Sequence, residues 1–161
     1  MTTREQPWSD DAPDARRVVL LTRNPIAEAI ESIATVVGRP VVVIEDDDGG
    51  RGVAALAGLQ LRDGDAVVLC DHDAPDAPRV LRDALASSAS YVAMMASRRR
   101  SEGLRAELEQ EGAPGLEKLH VPAGLNVGGK APGEIALSVV AQVVATSYGR
   151  DGGPMGGMPR D

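Results

Sequence analysis

Arg17-Val18-Val19-Leu20-Leu21-Thr22-Arg23-Asn24-Pro25-Ile26-Ala27 opens the stretch that decides the fold, and Val41-Val42-Val43-Ile44-Glu45 closes it. Both contain short aliphatic runs without polar alternation, the pattern of strands buried on both faces. Between them Ile26, Ile30, Ile33 and Val37 recur at i, i+4, i+7 and i+11, with Glu28, Glu31, Ser32 and Thr35 on other faces. That is the period of an amphipathic helix. Asn24 suits its cap, Pro25 its first position and Gly38 its stop. The stretch reads as a β-α-β unit.

Working outward, the alternation repeats. Ala66 to Cys70, Tyr91 to Met95 and Leu119 to Val121 are strand-like, whereas Ala77 to Ala86, Ser97 to Glu111 and Pro132 to Tyr148 have helical period. The twenty residues between Glu45 and Ala66 are rich in Gly and Asp, with room for one short helix around Val53 to Leu59. Continuous apolar strands separated by helices predict an α/β chain with a doubly wound, mostly parallel five-stranded sheet, a Rossmann-like three-layer sandwich. The expected strand order is 2-1-3-4-5, and ligands of such sheets sit beyond the carboxyl ends of the strands, at the switch point between the first and third. The loops to inspect are therefore Thr22 to Pro25, Asp71 to Pro75, Ala96 to Arg100 and Pro122 to Pro132. The folded domain is expected over 16–148. Residues 1–15 and the Gly/Met/Pro-rich 149–161 are expected to be flexible tails, with Trp8 and the tail methionines as a docking peptide in the alternative reading.

The chain has 161 residues, 43% hydrophobic and 25% charged, which matches one soluble domain. With no Phe, one Trp and two Tyr, it lacks stacking platforms for single-stranded nucleic acid. Its formal net charge of −7 repels phosphate backbones, so no nucleic-acid partner is expected. One cysteine, Cys70, excludes an internal disulfide and agrees with a reducing compartment. No apolar run is long enough to cross a bilayer and no signal-peptide core follows Met1, so no membrane partner and a cytoplasmic location are expected.

Chemistry-bearing residues gather in the carboxyl-end loops. Cys70-Asp71-His72-Asp73 ends the third strand; it lacks the spaced ligand pairs of structural zinc, so no metal site is assigned. Cys70 reads as a small core residue, and His72 as a hydrogen-bond donor or proton shuttle in the crevice. His120, on the last strand, reads as a satisfied structural histidine. Ser97-Arg98-Arg99-Arg100 opens a helix, either as an anion cradle or as a solvated cluster paired with Glu102 and Glu107. Thr22 to Ala27 has no glycine, which argues against a standard NAD(P) or FAD site, although Arg23 can still hold an anion and Glu45 stands where an acid would grip a ribose. In the last helix Glu134, Ser138, Gln142 and Thr146 form a narrow polar seam within a wide apolar arc. Either a homodimer interface or tight packing against the sheet and a neighbouring helix accounts for that arc.

The segment Pro122 to Ser138 carries a resemblance. Gly124, Leu125, Asn126, Gly128, Pro132, Glu134, Ile135, Ala136 and Ser138 match the G-L-[D/N]-[I/L]-G-x-x-[T/S]-P-x-E-I-A-[L/V]-S pattern of the XdhC/CoxI family, accessory proteins of molybdenum hydroxylases. Asp71-His72-Asp73 is similar to that family's T-H-D, and Tyr91 to Arg99 to its Y-[I/V]-G-x-[L/M]-G-S-R-[R/K]. The likeness covers about 16–148. Departures are the first turn, where G-A-G-H is replaced by Thr22, Arg23, Asn24 and Pro25; Ala93 and Ala96 in place of glycines; and Ala131 in place of a capping threonine. The resemblance also implies a separate N-terminal domain; either a partner supplies it or this member has lost part of the activity.

What the resemblance implies is a non-enzymatic accessory protein with no catalytic residues. It binds the molybdenum cofactor (molybdopterin) transiently and assists its sulfuration or its insertion into a molybdenum hydroxylase apoenzyme of xanthine dehydrogenase or carbon monoxide dehydrogenase type. Ser97, Arg98 and Arg99 would hold the anionic tail, Asp71, His72 and Asp73 would face the ring or metal end, and Gly124, Asn126 and Gly128 would let the backbone close over the ligand. A cysteine desulfurase is a further implied partner, and a homodimer is expected. The alternatives are a small NAD(P)- or FAD-binding oxidoreductase and a ligand-free structural or regulatory dimeric subunit.

Overall fold

The computed structural model describes residues 5–10, 16–45, 56–74 and 77–157. Five strands, β1 (Val18–Leu21), β2 (Val41–Ile44), β3 (Ala66–Leu69), β4 (Tyr91–Met94) and β5 (Leu119–His120), form one all-parallel sheet in the order β2-β1-β3-β4-β5. This is the order and the doubly wound Rossmann-like architecture expected from the alternating runs. Each strand is about one residue shorter than its apolar run. Cys70 and Met95 lie one position beyond their strands, where their amides still donate to Leu21 and Leu69 carbonyls and their side chains still pack into the core.

Alternate residues of each strand enter opposite layers, as the two-residue period of a strand requires. Val18, Leu20, Ala66, Val68, Tyr91 and Ala93 pack beneath α1 (Pro25–Val37) and α4 (Pro132–Ser147). Val19, Leu21, Val67, Leu69, Val92 and Met94 pack beneath α2 (Ala77–Ala86) and α3 (Arg98–Glu111). Burying one of these aliphatic side chains contributes about 1.5–3 kcal/mol, so the core gains its stability from many branched residues despite lacking Phe. Gly38 ends α1 in the left-handed conformation, φ 94°, its amide donating to Ala34 and Thr35 carbonyls.

The apolar arc of α4 is largely accounted for inside the protomer. Ala136, Val139, Val140 and Val143 are buried against the sheet and α1, and Leu137 is left 54% exposed. Of the expected Val53 to Leu59 helix, residues 56–58 are helical, with Leu56 in the core and 57–58 exposed; 53–55 lie outside the described residues. Of the expected tails, 5–10 and 149–157 are exposed and contain no helix or strand, while 1–4, 11–15 and 158–161 lie outside the described residues. Among the described residues, no helix is long and apolar enough to cross a membrane.

At the amino edge of the sheet, Arg17 donates from Nε and Nη2 to both carboxylate oxygens of Asp65, at 3.1 and 2.6 Å, and the Arg62 amide donates to Asp65 Oδ2 at 2.8 Å. Asp65 is only 2% exposed. Burial alone would raise its pKa, but these donors and the Arg17 charge outweigh it and hold the carboxyl below its ordinary range.

Candidate functional site

Parallel strands bring their carboxyl ends to one edge, so the loops after β1, β3, β4 and β5 share a mouth. At β3, Asp71 Oδ1 accepts from the Asp73 amide at 2.9 Å, turning the chain so that one ligand-type atom each from Asp71, His72 and Asp73 lies within 4.8 Å of the others. His72 Nε2 is 3.4 Å from Asp73 Oδ2. On the neighbouring β4, Ser97 caps α3, its hydroxyl accepting from the Arg100 amide at 3.2 Å. Arg100 reaches across the loops to Asp73, Nη1 to Oδ1 3.3 Å, and ties the two motifs together. Arg98 and Arg99 are exposed and have no partner among the described residues. The expected pairing of this cluster with Glu102 and Glu107 is not formed; Glu107 instead meets Arg82 at 3.2 Å.

The loop after β5 starts alongside β4, where the Ala123 amide donates to the Met94 carbonyl. Gly124 has φ +99°, and a Cβ there would collide with the Ser138 hydroxyl of α4. Gln142 grips the same residue from both sides, accepting from its amide at 3.0 Å and donating to its carbonyl at 3.4 Å. The Leu125 amide donates to the Ser138 carbonyl. The polar seam of α4 thus anchors this loop, and Gly124 is required by its approach to α4. At the other end of the loop Gly128, φ +87°, has open space where a Cβ would stand, and Asn126 is exposed. Ala131 leaves α4 without a side-chain cap, as its residue type dictates.

The first turn is closed on itself. Asn24 Oδ1 caps α1 by accepting from the Ala27 amide at 2.8 Å, and its Nδ2 donates to the Cys70 carbonyl at 3.0 Å, bridging the ends of β1 and β3. Arg23 is held by Glu45 at 2.8 Å and lies 3.9 Å from Glu31. Its hydrogen bond to Glu45 raises the guanidinium pKa further. Cys70 is buried and its thiol is pushed up to about 12 by burial and then by the Asp71 charge, so it stays a protonated core residue.

Sequence reasoning passed over three residues of this region. Arg100 was grouped with its neighbours, although it alone among them bridges to Asp73; Tyr91 was read only as the start of a motif and Gln142 only as part of the polar seam, with no sign that the two meet. The Tyr91 hydroxyl donates to Gln142 Oε1 at 2.6 Å. Its ring stacks on His120 with centroids 4.5 Å apart. His120 is half-buried, and burial followed by the Arg105 charge lowers its pKa. Its ring nitrogens have no hydrogen-bond partner among the described residues, so stacking, and not a satisfied hydrogen-bond set, holds it. It faces a groove of about 610 Å³ at the amino edge, with Asp63, Ser90, Lys118 and Arg150, away from the three motifs.

The chain is 27% identical over 104 residues to the uncharacterized protein YqeB of Escherichia coli (strain K12), across 63% of this chain and 19% of that protein. It shares its fold with the crystal structure of a xanthine dehydrogenase from Bacillus halodurans, with TM-score 0.68 and 21% identity, over 88% of this chain and 45% of that one. It therefore spans less than half the length of either. The family model for the XdhC Rossmann domain matches residues 18–143, from β1 into α4 and through Asp71-His72-Asp73, the Ser97-Arg98-Arg99 turn and the Gly124 loop, so the chain belongs to that family.

Proposed function

We propose that this chain is an accessory protein that carries molybdenum cofactor to a molybdenum hydroxylase apoenzyme, of xanthine dehydrogenase or carbon monoxide dehydrogenase type, and supports its sulfuration or insertion. The observation that carries this reading is family membership across the whole sheet, joined to a sheet edge that carries both the Asp71-His72-Asp73 turn and Arg98 and Arg99, which have no partner among the described residues. The cofactor is cargo here: its anionic tail meets Arg98 and Arg99 beside Ser97, and its ring or metal end faces the Asp-His-Asp turn, with Gly124 to Gly128 as the third wall. A tail phosphate suits guanidinium donors, which form charge-assisted hydrogen bonds.

Sulfur comes from a partner. Cys70 is the single cysteine of the sequence, and a buried thiol with its pKa near 12 supplies no thiolate at neutral pH. A cysteine desulfurase is the corresponding partner, and a separate XdhC N-terminal-type domain a second. The protein acts in the cytoplasm, as a carrier and not a catalyst, and as a homodimer using the exposed Leu137 side of α4. The nucleotide-dependent oxidoreductase reading is disfavoured by the first turn, whose polar groups already satisfy one another.

The test is anaerobic calorimetry of the purified chain with cofactor released from a molybdenum enzyme, alongside hydroxylase activity in cells lacking the protein. Micromolar binding and loss of hydroxylase activity are expected. Absence of binding together with unchanged activity rejects the carrier role.

A further inference from the structure

A parallel sheet gathers the residues that precede its strands at one edge, just as it gathers the loops that follow them at the other. Here the preceding residues are Arg16, Arg39, Gly64, Ser90 and Lys118, each one or two positions before β1 to β5 in turn. Three of them are cations, in a chain whose formal net charge is −7. Two adjoining hollows open among them. One is a recess of about 160 Å³ walled by Arg16, Arg39 and Tyr91; the other is the groove of about 610 Å³ lined by His120, Lys118 and Arg150, and Ser90 and Thr146 belong to both.

The recess is built from buried polar side chains, since Arg39 is 4% exposed and Tyr91 2%. Arg39 Nη2 donates to the Ser147 hydroxyl at 2.8 Å, and its guanidinium carbon stands 6.0 Å from the centre of the Tyr148 ring. Those contacts orient the guanidinium, and a cation held out of water attracts an anion more strongly than one on the surface does. Helix carbonyls would oppose an anion here, because α4 ends at this edge. They are already taken: Ala145 accepts from the Arg150 amide, Thr146 from the Gly149 amide and Ser147 from Arg16 Nη2 at 3.1 Å. In the groove, His120 is fixed by its stack on Tyr91, and its ring nitrogens have no hydrogen-bond partner among the described residues. Of the two acids there, Asp63 accepts from the Ser90 hydroxyl at 2.7 Å and Glu117 is exposed. Four cations against two carboxylates leave the hollows together with two net positive charges.

We propose that this amino-edge cleft binds a small organic dianion, a phosphate monoester or a dicarboxylate, with an anionic group in the Arg39 recess and the body of the ligand along His120. The site is independent of the carrier reading, whose residues lie at the other edge of the sheet. The experiment is an NMR titration of the full chain, following backbone amides, arginine Nε–H groups and the His120 imidazole, with glycerol phosphate and succinate as probes and sodium chloride as the ionic-strength control.

Saturable shifts at Arg39, Ser90 and His120 are expected from at least one probe, with a dissociation constant of about 1 mM or tighter. A response to glycerol phosphate alone assigns a phosphate monoester, and a response to succinate alone a dicarboxylate. Arg39→Gln should weaken binding at least about tenfold. Because Arg39 is buried, a second variant guards against misfolding: His120→Phe keeps a ring on Tyr91, removes the ring nitrogens and should weaken binding about fivefold. Shifts no larger than those from sodium chloride, shifts confined to Ser97 to Arg100, or undiminished affinity in either folded variant overturn the site.

Discussion

The turn after β1 and the turn after β4 occupy equivalent places on one sheet edge, each with a capped helix and an arginine, yet they differ in what they leave unsatisfied. After β1, Asn24 and Arg23 find every partner inside the chain: Ala27, Cys70, Glu45 and Glu31. After β4, Ser97 caps α3 but Arg98 and Arg99 are exposed and have no partner among the described residues. A self-satisfied turn adds stability and has little left to offer a ligand. A turn with idle cations gives up a little stability through like-charge repulsion and keeps binding capacity. The sheet is built the same way under both, so the distinction lies in side chains alone.

A buried ion pair at the far edge sets the scale for full internal satisfaction. Asp65→Asn is expected to destabilise the fold by about 3 kcal/mol, because it leaves Arg17 without its charge partner. Urea unfolding measures it. The folded-state pKa of Asp65 lies below its unfolded value near 4, so its contribution is present above about pH 4 and is lost as pH falls through the lower, folded value. The variant should accordingly show a shallower loss of stability on acidification.

The comparison breaks if the open turn proves structural. Arg98→Ala with Arg99→Ala should weaken cofactor binding about a hundredfold, near 2.7 kcal/mol. It should shift unfolding by less than about 0.5 kcal/mol, since both side chains are exposed. A large stability loss with intact binding would reverse the assignment of the two turns. The mirror experiment is Asn24→Ala, expected to cost about 1–2 kcal/mol in stability while sparing cofactor affinity; titration and unfolding on the same sample separate the two effects. Ala131→Ser supplies the cap α4 lacks, at an extended position, φ −64° and ψ 146°, and should raise stability by up to about 1 kcal/mol. Thermal unfolding reads that smallest change.

Much of this was legible in order along the chain. The runs Val18 to Leu21 and Val41 to Ile44, with Ile26, Ile30 and Ile33 between, state a parallel unit because only a doubly covered strand needs no polar face. Asp71-His72-Asp73 and Ser97 to Arg100 were readable as loop chemistry for the same reason: parallel strands send their carboxyl ends to one side. Other features had no local signal. Nothing in sequence joins Tyr91 to Gln142, 51 residues on, or Gln142 to Gly124. A glycine in a family motif looked like an opening for ligand until the position of Ser138 showed it to be a fit against α4.

Residue type and spacing, then, determined which elements form, their order in the sheet and which loops meet at the mouth, because periodicity and turn chemistry act over a few residues. Tertiary structure decided which polar groups are spent and which stand idle. That Arg23 is consumed by Glu45 while Arg98 and Arg99 are not depends on distances between side chains from different strands, a quantity that no linear spacing encodes.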